Sequence, residues 1–136
     1  MDIAEAGKRL RQHAFMDDDL SAARMTQGFL GSLRPFGGEL NPENFHDVMH
    51  CIAVLAEEID AGGAVSADLM ASLWGICHFA RAWGIAPEGM LRTNHLISAR
   101  QVQILSEWVE QISYAVFMLL SGSGKEEAFL GYPIDV

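Results

Sequence analysis

Two histidines four residues apart, His46 and His50, stand in the stretch FHDVMHC (Phe45 to Cys51), with Asp47 after the first and Cys51 after the second. An i, i+4 pair of this kind lies on one face of a helix, where two imidazoles can share a zinc ion. The zinc-peptidase pattern sets a glutamate beside the first ligand so that its carboxylate reaches the metal-bound water, and Asp47 is one methylene shorter. A third donor is missing nearby. Glu57 comes seven residues after His50, roughly 10 Å along a helix axis, and Cys51 points about 100° away from the pair. A divalent metal such as zinc would need a ligand from another helix, with His78 and His95 as the nitrogen donors on offer. The expectation is a solvated histidine face without a resident cofactor. His46 and His50 are the metal ligands if an ion binds at all.

Other chemistry is weaker. Cys77 and His78 are adjacent, so on a helix they point about 100° apart and do not form a nucleophile and base. SGSGKEE (Ser121 to Glu127) fails as a phosphate loop, because Leu119 stands where a glycine is needed and Glu126 follows Lys125. No serine sits in a nucleophile elbow, and no carboxylate pair marks a cleft. The chain therefore reads more readily as a non-enzyme than as an enzyme, and the question stays open at this point. Arg81 stands out, because a guanidinium on a largely apolar helix must find an acid or carbonyls, inside the fold or on a partner.

Composition narrows the function further. With 136 residues, half of them apolar and a fifth charged, the chain suits one α-helical domain over 1–136, burying about two-thirds of its unfolded surface. There are 18 acids against 9 bases, a formal charge of −9, and Lys8, Arg9 and Arg11 leave only six bases for the rest. Such a surface repels phosphate backbones, which argues against nucleic acid and for a basic partner. The N-terminal residues have no apolar run of the signal-peptide kind. The most apolar run, Ile112 to Gly122, is about half the roughly 20 residues that cross a bilayer. Cys51 and Cys77 are expected to be free thiols, which with the other features places the protein in the cytoplasm.

The elements that would position these residues are helical throughout. Asn41 and Pro42 open a helix that closes on Gly62 and Gly63, with Phe45, Val48, Ile52, Leu55 and Ile59 in its apolar stripe. A second runs from Ser66 to Gly84 through Leu69, Leu73, Ile76, Ala80 and Trp83. A third opens with Ser98 and Gln101 in capping-box spacing and ends at Gly122. A fourth is expected from Asp19 to Leu33, with Asp17, Asp18 and Asp19 at its start. Short helical turns are expected at Ile3 to Gln12, Pro87 to Arg92 and Lys125 to Leu130. The fold class is all-α: a single compact bundle of four longer helices plus short helical turns.

Two helices are apolar on more than one face, because Asp68 and Arg81 are the only charges from Asp68 to Gly84 and none falls from Gln111 to Leu120. Either a neighbouring element or a second subunit covers them, so a homodimer is one expectation. Small size, an acidic body and capped helices resemble, in composition, immunity proteins that neutralise a toxin by charge and shape. A protein-binding module, inhibitor or adaptor, follows as the leading expectation. Its recognition surface is expected at Asp47, Glu57, Glu58 and Asp60 and at Glu107 and Glu110, with Trp74 and Trp108 as anchors and Arg81 for a partner carboxylate. The alternative is a metal- or small-molecule-binding bundle, a binding protein or an enzyme, that uses the His46 and His50 face.

Overall fold

Side-chain oxygens set where four helices begin. Asp2, Asn41, Ser66 and Ser98 each accept a hydrogen bond from a backbone N–H of the turn that follows, a donor that a helix start otherwise leaves unpaired. The computed structural model describes residues 1–60 and 62–134. In chain order the helices are α1 (Ile3–His13), α2 (Ala23–Gln27), α3 (Pro42–Val54), α4 (Ala56–Asp60), α5 (Ala67–Ala80), α6 (Met90–Thr93), α7 (Ala99–Leu120) and α8 (Lys125–Ala128). A π-helical turn, Arg81–Ile85, prolongs α5. Among the described residues there is no β-strand, only an isolated bridge between Leu33 and Phe36. The protein is all-α, a bundle of four longer helices (α1, α3, α5 and α7) with short helical turns between them. Among the described residues no helix is long and apolar enough to cross a membrane.

The apolar stripes explain the packing. Val48, Ile52, Leu55 and Ile59 are buried, as are Leu73, Ile76 and Ala80, and Leu105, Val109, Ile112 and Leu119. They meet Ala6 and Leu10 of α1 in one continuous core. The N-terminal helix packs on α3 and α5, while α7 lies against α3, α4, α5 and α8. Ser98 and Gln101 form the reciprocal capping box.

Three elements differ from the sequence reading. First, Ile3 to His13 is an 11-residue helix and not a short turn, held in the core by Leu10 and by ion pairs from Arg9 and Arg11. Second, the helix expected from Asn41 to Gly62 is interrupted at Leu55 (φ −90°, ψ 0°) and resumes as α4; Ala61, within that span, lies outside the described residues. Third, the helix expected from Asp19 to Leu33 shrinks to Ala23–Gln27. Gly28 leaves it in an extended conformation (ψ −166°), and the next N–H groups serve a different purpose: Phe29 and Leu30 donate to His13, at Nδ1 (2.9 Å) and at the backbone oxygen (3.0 Å). Two glycines, at 28 and 31, also weaken any helix there by about 1 kcal/mol each.

Gly7, inside α1, has nothing within 4 Å of where a Cβ would stand. Gly7→Ala is therefore expected to stabilise the fold by about 0.5–1 kcal/mol through lower backbone entropy in the unfolded chain. Urea denaturation checks this, and a lower midpoint would show that α1 is strained there.

Candidate functional site

The opening motif divides across two sides of α3. Asp47 turns inward, its side chain 20% exposed, and binds three bases from the N-terminal part of the chain. Arg9 Nη1 donates to Oδ1 (2.8 Å), while His13 Nε2 (2.7 Å) and Arg24 Nε (3.1 Å) both donate to Oδ2. The His13 side chain is only 1% exposed. Because its Nδ1 receives the Phe29 N–H, the ring proton sits on Nε2 and points at Asp47. Partial burial pushes the Asp47 carboxyl upward, yet the His13 hydrogen bond and the Arg9 and Arg24 guanidinium groups outweigh it and hold the group well below the usual carboxylate range. The expectation that Asp47 belongs to an exposed recognition surface is thereby corrected: it is the tie between α1, α2 and α3.

His46 and His50 are exposed on the other side of α3. His46 Nδ1 is hydrogen-bonded to the Tyr132 hydroxyl at 2.5 Å, and its ring lies near those of Phe45 and Tyr132. That contact fastens the segment after α8 onto α3. Among the described residues no group of three or more His, Cys, Asp or Glu side chains could hold a metal ion. Neither His78 nor His95 joins the pair.

The remaining acids divide as well. Glu57, Glu58, Glu107 and Glu110 are exposed, whereas Asp60 is half-buried. Glu107 and Glu110 rim a trough whose floor is Phe45 and Trp108, stacked with centroids 5.4 Å apart and planes 5° from parallel. Phe29 meets the same indole edge-on at 6.3 Å. Trp108 is thus half-buried, and its ring is spent on the protein's own core.

Trp74 is a different case. It is 71% exposed on α5, and Phe117 of α7 is 62% exposed. The two helices leave between them an apolar groove of about 320 Å³, whose walls include Met70, Trp74 and Cys77 on one side and Val116, Phe117 and Leu120 on the other. Arg81 and Ser113 also line it, with Arg81 Nη2 donating to Ser113 Oγ at 3.0 Å. Ser113 in turn donates to the Val109 carbonyl at 2.8 Å. Among the described residues no carboxylate lies within ion-pair distance of Arg81, so the expected acid inside the fold is not found there. Sequence reasoning named Trp74 and Arg81 separately. It missed Phe117 as their counterpart, although the charge-free run from Gln111 to Leu120 was the signal.

Neither thiol is poised for attack. Both cysteines are free and buried. Burial first, and then the Asp47 charge, pushes Cys51 up to about 12. Burial also raises Cys77, against the opposing pull of Ser113 and Arg81. Both therefore remain protonated at neutral pH and pack as small apolar groups.

No protein-family model, no curated protein and no solved structure matches the chain.

Proposed function

We propose that the chain is a non-enzymatic binding protein, that its partner is another protein, and that the partner is received on the α5–α7 groove. The observation that carries this reading is the pair of exposed rings, Trp74 and Phe117, on either side of an apolar floor. Contiguous apolar patches on a protein surface are characteristic of interaction sites, and aromatic anchors near their centre supply most of the binding energy. The exposed acids Glu57, Glu58, Glu107 and Glu110 have a secondary part in this reading, namely faster association with a partner that is basic elsewhere on its surface. An inhibitor or adaptor working in the cytoplasm fits both features.

The test is a paired capture from the lysate of the source organism, with wild type and Trp74→Ser/Phe117→Ser as baits. Both side chains are largely exposed, so urea stability should change by less than about 0.5 kcal/mol. Loss of two anchors is expected to weaken the complex by about 30-fold or more. A Glu57→Lys/Glu58→Lys bait should instead change mainly the salt dependence of capture. Equal recovery of the same partner by the double-serine bait would refute the groove as the recognition face.

A further inference from the structure

The groove has a direction. At one end Arg81 of the π turn meets Ser113 of α7, while at the other the walls are Met70 and Leu120. The two helices therefore run antiparallel past each other, and polarity falls from an end that carries Arg81, His78 and Ser113 to one walled by Met70 and Leu120. Met70 and Arg81 are about three turns of helix apart, roughly 16 Å at about 1.5 Å per residue.

We propose that the occupant is an amphipathic α-helix of the partner, about three turns long, which lays an apolar stripe between Trp74 and Phe117 and sets a carboxylate on Arg81. The proposal rests on the reading of this face as the recognition surface. Its chemistry comes from the guanidinium. Arg81 has five N–H donors in a planar fork, and the bond to Ser113 uses one of them. A planar carboxylate takes two such donors at once. An acid at one end of the incoming helix and apolar residues over the rest would match the groove end for end.

Competing occupants fit less well. Two packed helices expose no strand edge, so an extended peptide would have no backbone ladder to join, whereas a third helix can seat its side-chain ridges in the channel between them. Small-molecule sites enclose most of their ligand. Here the rims are open, and a small amphiphile lying on the floor would leave Trp74 and Phe117 in water. A helix about 10 Å across covers both.

The experiment introduces a photo-crosslinker, Phe117→p-benzoylphenylalanine, into the full chain in cells of the source organism and sequences the adduct. A synthetic peptide of the crosslinked segment is then titrated against wild type, Arg81→Gln and Arg81→Glu, each first shown by circular dichroism to be folded. The expected result is an apolar helical segment carrying Asp or Glu, bound about 30-fold or more weakly by Arg81→Glu. Exchanging the peptide's acid for lysine should restore binding to Arg81→Glu and to no other form. A segment without an acid, or one indifferent to Arg81→Glu, overturns this inference and leaves the proposed function standing. Adducts only to lipid, to a small molecule or to a second copy of the chain, or no adduct at all, overturn both.

Discussion

Asp47→Asn is expected to remove about 3 kcal/mol of folding stability, the low end of what breaking a buried ion pair costs, because the carboxylate keeps some contact with water. The geometry explains why so conservative a change is severe. Oδ1 receives Arg9, and Oδ2 receives both His13 and Arg24. Asparagine has one oxygen. If it faces His13 and Arg24, the amide N–H₂ points at the Arg9 donor; if it is flipped, two donors face the N–H₂. Either way, charged donors in a partly buried place lose their acceptor.

The effect depends on pH in a direction that follows from the depressed Asp47 carboxyl. A group ionised more easily in the folded chain than in the unfolded one adds stability above its unfolded value, about 3.9 for Asp, and loses it progressively as pH falls below that. The gap in urea stability between wild type and Asp47→Asn should therefore be widest above about pH 5 and narrow towards pH 3. A gap that does not change over this range would mean that the loss comes from shape rather than charge.

What was legible in the sequence depended on whether the signal was local. Asn41, Ser66 and the Ser98–Gln101 box cap their helices in the structure as their spacing predicts, because a cap involves neighbours within one turn. The periodic stripes gave the buried faces for the same reason. Asp47 was illegible. Beside two histidines on the wet side of α3 it read as a surface acid, but its partners Arg9, His13 and Arg24 lie 23 to 38 residues away along the chain. Only the packing of α1 and α2 brings them together. His13 carried no motif at all. The groove fell between these cases. Two charge-poor helices marked apolar faces in need of a cover, yet that Trp74, Phe117 and Arg81 line one channel follows from the α5–α7 crossing. The acidic faces, by contrast, were prominent in the sequence because charge is counted easily, although one of their six members is consumed by the fold.

Gly28→Ala should be among the most damaging single methyl additions in the chain, with an expected loss of about 3 kcal/mol, at the upper end for strain from overpacking. A Cβ at this position would stand 2.1 Å from the Arg24 carbonyl oxygen and 3.1 Å from His13 Nδ1. The first of these is backbone, which cannot swing aside as a side chain can. Relief requires the 28–30 segment to shift away from the end of α2, and a shift that also clears His13 strains the Phe29 N–H bond to His13 Nδ1 and the Leu30 N–H bond to the His13 carbonyl. Losing the first also frees the imidazole to take its other tautomer, which would turn a bare Nε2 towards Asp47 Oδ2. Damage at Gly28 thus reaches the same knot as Asp47→Asn by another route, and the two changes should be less than additive in a double-mutant cycle. Urea unfolding of both single variants and the double gives the measurement. A double variant whose loss equals the sum of the singles would show that the glycine acts through its turn alone. A sub-additive result would instead show that the extended exit from α2 and the Asp47 knot act as one unit, as their shared bond to His13 implies.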